Sequence, residues 1–328
     1  MAGIKRAGNN RLSDRALRGQ FYERLEIVES ASWVERLSFM ASSDSDAEEY
    51  ADLDRPPTMK PKQSGTNVSR PSSRTWIIEN DEFEAAVGIP KRHARRDKTG
   101  LIDNYMSGLA RRSVTHWRKL LSDSIEAAKT TTISRDGKTF FAADHVEGDQ
   151  SGQANKVTAA EIPELNVADP ANPTESEFAD LLLALANHFT TFKDAENEPF
   201  YEDPQEFHLM IPVKYGKVAT TVFGKNLINS GNGSEDNIIP DLGFSFSRNS
   251  RLSWGNELAL FVTDTENKPL IRQSEPLDNS GDDDLELTVF GLDSEYCKLN
   301  GELLAKIEAS RNTGLTHSWH TAIHATLS

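Results

Sequence analysis

The longest amphipathic pattern in this sequence runs from Thr99 to Lys129, and it restricts the folds open to the chain more than any other feature. The positions that fall along one helical stripe are Ile102, Met106, Leu109, Ser113, Trp117, Leu121 and Ile125. At 1.5 Å per residue this helix would be roughly 45 Å long, whereas an average helix has about 11 residues. Because so long a stripe needs cover along most of its length, the pattern predicts a strut that lies on a sheet or on another chain.

A long polar excursion precedes that helix. Between Ser42 and Ser73 the sequence is first rich in Ser, Asp and Glu, then in Pro and Lys, and it offers little to bury. Residues with strand-forming character flank it at Trp33–Met40 and at Thr75–Val87. Two strands joined by a long polar tip indicate a projecting hairpin, and a two-stranded hairpin is marginally stable by itself. We therefore expect this hairpin to rest on a partner surface.

The remainder of the chain mixes helices and strands and contains no internal repeat. The predicted elements are a helix at Ser176–Phe192, a strand at Phe207–Val213, a helix that ends near Phe223, a strand at Leu258–Val262, and a hairpin formed by Lys268–Ser274 and Leu285–Phe290. Helices interspersed with strands that do not alternate strictly are typical of an α+β fold.

The charge of the chain is unevenly distributed around a net value of −15. Residues 1–160 carry 25 Lys and Arg residues against 23 Asp and Glu residues, whereas residues 161–328 carry 11 against 28. Such an acidic surface repels a phosphate backbone, which argues against a general nucleic-acid-binding protein. The basic run with Arg92, Arg95 and Arg96 has no interleaved aromatic residue to stack on bases, so we expect it to contact an acidic neighbouring subunit.

Several classes of protein are disfavoured by simple counts. Cys297 is the single cysteine, so the chain can form neither an internal disulfide nor a cysteine-based metal cage. The start of the chain is basic but lacks the apolar stretch of a secretory signal. The apolar run Leu181–Ala186 is far shorter than the roughly 20 residues that span a membrane, so no membrane partner is expected.

Three histidines near the C-terminus are the best candidates for a metal site. On a helix, His317, His320 and His324 would share one face and could hold zinc. No glutamate accompanies them as in a His-Glu-x-x-His motif, so the general base of a zinc hydrolase is missing. A solvated tail or a subunit contact is the expected role, and a metal-dependent hydrolase is the rival hypothesis from the enzyme class.

The other candidate chemistry is equally sparse. Asp136 is explained by the tight turn that it forms with Gly137, and no nucleophile at motif spacing accompanies Asp144 and His145. The acidic run Asp282–Asp284 lacks the spacing of a calcium loop, and nothing matches a phosphate-binding loop or a nucleophile elbow. The sequence therefore predicts no catalytic residue, no cofactor and no bound metal.

An ordered set of short motifs resembles the major head subunit (T protein) of Mu-like phages over roughly residues 25–310. The set comprises Phe83–Ile89, Gly100–Tyr105, the long helix, Asp136–Phe141, Asp144-His145, Leu209–Val213, Leu260–Asp264, Lys268–Gln273, Phe290–Asp293 and Asn300-Gly301. No single motif is specific, but their order is. The run Lys91–Arg96 is basic where this family is usually acidic, Glu295 stands where it has arginine, and the tail Asn312–Ser328 has no counterpart.

The resemblance implies the Hong Kong 97-type capsid fold. It places an N-terminal arm at 1–42, an extended E-loop hairpin at 43–90, and a peripheral domain at 91–165 with a spine helix at 99–129. An axial domain would follow at 166–269, and 270–328 would return to the peripheral domain and form a C-terminal tail.

The function implied is that of a major capsid protein, found in the virion and assembled in the host cytoplasm. Pentamers and hexamers of the chain would form an icosahedral head around double-stranded DNA, with a portal protein and scaffold or decoration proteins as further partners. The residues expected at contacts between subunits are Trp76, Ile77, Ile78, Arg55, Lys60, Lys62, Arg92, Arg95 and Arg96. An encapsulin-like compartment, which shares the fold but encloses protein, is the structural alternative.

Overall fold

The computed structural model describes residues 17–18, 21–23, 25, 33–53, 55–56, 59, 73–96, 100–229, 233–264, 268–276 and 285–328. The helices within these ranges are α1 (Trp33–Leu37), α2 (Lys91–Arg95), α3 (Leu101–Ala127), α4 (Glu175–His188), α5 (Gly216–Gly224) and α6 (Glu295–Asn300). The strands are β1 (Ser38–Ser42), β2 (Ala47–Leu53), β3 (Ser73–Glu79), β4 (Asp81–Pro90), β5 (His145–Glu147), β6 (Gln150–Gln153), β7 (Lys156–Val157), β8 (Glu206–Ile211), β9 (Leu227–Asn229), β10 (Ser234–Asp236), β11 (Gly243–Arg248), β12 (Glu257–Val262), β13 (Leu270–Glu275), β14 (Glu286–Phe290), β15 (Glu302–Leu315) and β16 (Ala322–Thr326). The mixture confirms the α+β prediction.

The first sheet is organised around β15, the longest of these strands. One edge of β15 pairs antiparallel with β4. Its other edge pairs with β14 along its first half and with β13 along its second half. Strand β1 joins β13 in parallel. The predicted hairpin between Lys268–Ser274 and Leu285–Phe290 is therefore wrong, because β13 and β14 both pair with β15 and not with each other.

The second sheet has the order β11-β8-β12-β16-β7. Strands β8 and β12 are antiparallel neighbours, and their residues Phe207–Ile211 and Leu258–Val262 are buried. Helices α4 and α5 pack against each other and contribute to the same core. Helix α4 begins at a capping box, in which the Thr174 hydroxyl and the Glu177 carboxylate each accept a backbone hydrogen bond.

Helix α3 joins the two cores, as expected for a strut. Its first half buries Ile102 and Met106 in a cluster with residues of β14 and β15. Its second half buries Leu121 and Ile125 in the larger cluster that includes the second sheet. Since one rigid helix contributes to both clusters, it fixes how the two halves of the molecule are placed.

The C-terminal tail differs from its prediction. Strand β16 lies inside the second sheet between β12 and β7, and His324 and Trp319 are fully buried. A solvated tail is thus wrong. The reason is tertiary: β12 and β7 need a partner between them, and that partner comes from the end of the chain.

Candidate assembly surfaces

The hairpin is formed by β2 and β3, with Tyr50 opposite Trp76 and Glu49 opposite Ile77. The predicted first strand at Trp33–Met40 is wrong, because Trp33–Leu37 is helical and Ser38–Ser42 pairs with β13, so the first strand of the hairpin is Ala47–Leu53. No third strand joins this ribbon within the described residues. Its two faces differ. Ile78 is 6% exposed on the inner face, whereas Ile77 is 64% exposed on the outer one.

The inner face of the ribbon packs on the first sheet of the same chain. The Trp76 ring stacks between Tyr50 and His317, with ring centroids 5.5 Å and 4.2 Å away. Ile78 covers Gly314 of β15 so closely that a Cβ atom at Gly314 would lie 2.6 Å from Ile78 Cδ1. The contacts of Trp76 and Ile78 are therefore intramolecular here, and of the three apolar residues predicted at a subunit contact only Ile77 is well exposed.

A buried glutamine fastens the base of the ribbon to β13. The Gln273 side chain is fully buried, accepts a hydrogen bond from the Tyr50 hydroxyl at 2.8 Å, and donates to the Ile78 carbonyl at 3.0 Å and to Asn80 Oδ1 at 2.8 Å. Burial raises the pKa of Tyr50 to about 12, with Glu48 adding to the effect, so the hydroxyl keeps the proton that it donates. Sequence reasoning missed Gln273, because Gln273 is one of four consecutive polar residues in the strand, Arg272 to Glu275, and its burial depends on the hairpin that packs on it.

Arg55, just beyond β2, is held by the second half of the chain. Its guanidinium lies 3.4 Å from Asp194 Oδ2, donates to the carbonyls of Pro199 and Phe200 at 3.2 Å each, and sits 5.0 Å from the centroid of the Phe200 ring. Lys60 and Lys62, which were predicted to lie beside it at the rim, fall outside the described residues.

The predicted basic contact coincides with helix α2. The side chains of Arg92 and Arg96 are exposed, and Arg95 is described by its backbone alone. The helix directly follows β4, and the Lys91 amide donates to the Gly301 carbonyl at the start of β15. These arginines therefore lie at the end of the first sheet.

The pair Asp136 and His145 belongs to a buried polar network. His145 Nδ1 lies 2.8 Å from Asp136 Oδ2, and Nε2 lies 3.1 Å from Asn155 Oδ1. Asn155 also donates to the Trp319 carbonyl at 2.9 Å, and the His145 and Trp319 rings stack at 4.3 Å. Although burial opposes it, the hydrogen bonds from His145, Ser134 and the Val146 amide lower the pKa of Asp136. The network anchors the C-terminal segment to the 136–155 region.

The three C-terminal histidines do not converge. His317 stacks on Trp76, His320 stacks on Phe200, and His324 lies 3.7 Å from Glu257 Oε2. No group of three His, Cys, Asp or Glu side chains in the described part of the chain is arranged to hold a metal ion. Likewise, none of the helices described there is long and apolar enough to cross a membrane. The geometry thus removes the basis for the zinc-hydrolase hypothesis.

Comparison with known proteins gives a match to one family model and a likeness to solved structures of one fold. Residues 12–168, just under half of the chain, match the family model of the Mu-like prophage major head subunit gpT. The structure is similar to the capsid of cyanophage P-SCSP1u, with a TM-score of 0.56 and 13% identity over 91% of this chain and 88% of that chain. No curated protein matches the chain.

Two further capsid structures are similar at a TM-score of 0.50. The bacteriophage JBD30 capsid is 10% identical over 91% of this chain and 66% of that chain. The capsid of an empty GTA particle is 11% identical over 90% of this chain and 89% of that chain. At these identities the likeness shows a shared fold.

The fold is that of phage capsid proteins. The fold and the family match together point to the class of phage major capsid proteins. Residues 12–168 carry the sequence pattern of the Mu-like prophage major head subunit gpT, and this match confirms the resemblance predicted from the sequence.

Proposed function

We propose that the chain assembles with copies of itself, as pentamers and hexamers, into a closed icosahedral head that encloses double-stranded DNA. Each interface would be a head-to-tail contact between two different surfaces, which closes into a ring when the rotation fits. The chain would act structurally, without catalysis, and would assemble in the host cytoplasm.

The observation that carries this proposal is the ribbon of β2 and β3. It has one packed face and one face on which Ile77 is 64% exposed, and no described strand completes its edges. Exposed strand edges and apolar side chains are stabilised when a neighbouring surface covers them. If residues 43–90 act as an E-loop, a neighbouring subunit would provide the surface that covers this face and these edges.

The division into domains is part of the same proposal. The first sheet with helix α3 would form the peripheral domain, and the second sheet with α4 and α5 would form the axial domain at the five-fold and six-fold positions. Arg92, Arg95 and Arg96 would meet an acidic surface of the next subunit, and Arg55, Lys60 and Lys62 would line the rim of the hairpin contact.

The proposed partners beyond the chain itself are a portal protein, scaffold or decoration proteins, and the packaged DNA. The acidic second half, with 11 basic against 28 acidic residues, would limit adhesion of DNA to the wall. DNA would then enter and leave without strong local binding.

The test is the content of particles made in cells that carry the complete set of head genes. Particles purified and treated with nuclease should contain protected DNA and appear as closed heads by negative-stain electron microscopy. Particles that enclose a protein cargo and no DNA would instead identify a compartment shell and refute the proposed role in packaging.

A further inference from the structure

A cleft of about 630 Å³ opens between the middle of α3 and the edge of the second sheet. Thr115 and Arg118 of α3 form one wall, and Trp33 and Arg36 of α1 close one end. The other wall is the edge strand β11 with the loop 249–251 that follows it. The cleft lies apart from the hairpin and from helix α2.

The charge of this cleft is opposite to that of the chain. Four arginines line it, Arg36, Arg118, Arg248 and Arg251, and no Asp or Glu is among the described lining residues. The side chain of Arg248 packs over Gly216 on the opposite face of β11, so its charge lies away from the cleft floor. Arg36 and Arg251 have no carboxylate oxygen of the described residues within 4.0 Å. Arginines without carboxylate partners in one concave site concentrate positive potential.

The polar residues on the floor of the cleft, His208, Ser245 and Ser247, are hydrogen-bonded to one another and to the backbone. Ser245 Oγ donates a hydrogen bond to the Phe207 carbonyl at 3.1 Å, so it can accept one from His208 Nδ1 at 2.8 Å. In the neutral ring the other nitrogen, His208 Nε2, then accepts a hydrogen bond from Ser247 Oγ at 2.9 Å. Burial, reinforced by Arg36, lowers the pKa of His208 to about 4, so the ring is neutral near pH 7. Both hydroxyl protons are thus used within the protein, so Arg36 and Arg251 are the charged donors that can bind a ligand.

We propose that this cleft binds a carboxylate-rich segment of a neighbouring copy of the chain. The inference rests on the proposed self-assembly and adds a specific contact to it. Guanidinium groups bind carboxylates through paired, charge-assisted hydrogen bonds. Each copy supplies the complementary charge, because residues 161–328 carry 28 acidic against 11 basic residues.

The test compares two double variants that lower the net charge equally. The cleft variant is Arg36→Gln and Arg251→Gln, and the control is Lys156→Gln and Lys225→Gln, two exposed cations outside the cleft. Sedimentation of the purified chains should show that the cleft variant needs about tenfold more protein to assemble than the wild type or the control. That difference should shrink in about 0.5 M NaCl, where salt screens the contact.

An equal assembly threshold for both variants, with equal urea midpoints to show that both fold, would overturn the inference and leave the proposed function intact. A second measurement does not depend on assembly. Unassembled wild-type and control chains should bind a labelled polyglutamate peptide about tenfold more tightly than the cleft variant does, by fluorescence anisotropy. Arginine-dependent binding of an oligothymidylate without binding of polyglutamate would make the cleft a nucleic-acid site and refute the proposal.

Discussion

Gln273 shows how one buried side chain fixes the hairpin. Replacement by Leu would leave the Ile78 carbonyl, Asn80 and the Tyr50 hydroxyl without their partner in a buried place. We expect Gln273→Leu to lower the free energy of unfolding by about 2–4 kcal/mol, since each orphaned buried polar group costs about 1–3 kcal/mol. Urea titration measures it, and Gln205→Leu at an exposed position is the control. Equal midpoints for the two variants would contradict the role given to Gln273.

Substitutions at the adjacent residues Ile77 and Ile78 should affect assembly and folding stability separately. Ile78→Ser should lower the free energy of unfolding by about 2–4 kcal/mol because it empties a packed position and buries a hydroxyl. Ile77→Ser, at an exposed position, should change it by less than about 0.5 kcal/mol and yet weaken assembly. Urea titration and sedimentation of the same samples measure both. Normal assembly of Ile77→Ser would remove Ile77 from the subunit contact.

Neutral histidines with lowered pKa values make stability depend on pH. Burial, together with nearby cations such as Arg55, lowers the pKa of His320 to about 3, and its ring stacks on Phe200 at 3.8 Å. Because the unfolded histidine titrates near about 6.5, the unfolded state binds more protons as the pH falls below that value. Stability should therefore be complete above about pH 6.5 and be lost progressively toward the folded pKa, by at most about 1.4 kcal/mol per pH unit for this residue.

His320→Gln tests this directly. Its unfolding free energy, measured in urea at about pH 7.5 and about pH 5, should fall less on acidification than that of the wild type. The slope is the informative quantity, because the substitution also changes packing at both pH values. Identical slopes would show that His320 does not titrate as its burial requires.

Elements with local signals were predictable, and those defined by distant partners were not. The strut predicted at Thr99–Lys129 is α3 at Leu101–Ala127, because a long 3.6-residue repeat carries its own signal. Strand β16 gave no such signal, since its five residues include a histidine and its burial depends on β12 and β7. The pairing of β13 and β14 was missed for the same reason, because their shared partner β15 comes later in the chain.

The buried C-terminal segment makes its own prediction. Trp319 is fully buried, stacks on His145 and packs edge-to-face against Phe192. Trp319→Ala should lower the free energy of unfolding by about 3–5 kcal/mol. Leu299→Ala, at a position that is 85% exposed, should leave it within about 0.5 kcal/mol. If urea titration showed an unchanged free energy of unfolding for Trp319→Ala, the C-terminal segment would contribute little to the stability of the fold.

For the whole molecule, the fold and the distribution of charge both favour a rigid subunit that contacts its neighbours through different surfaces. A helix that bridges two cores gives a rigid subunit, while the hairpin and the arginine cleft lie outside those cores. Rigid bodies with complementary surfaces at different places form heterologous interfaces, which close into rings or continue without end. The sequence alone predicted a hairpin with a long polar tip and the acidic half, although it placed the first hairpin strand at Trp33–Met40 instead of Ala47–Leu53. The cleft brings together distant positions from Trp33 to Arg251 and required the fold.

Sedimentation velocity of the purified chain over a range of concentrations tests the central claim most directly. A shell-forming subunit should show a slow species together with a very fast species of closed particles, whose share rises steeply above a threshold concentration. A single slow species with the mass of one 36.4 kDa chain at every concentration and salt would contradict the account.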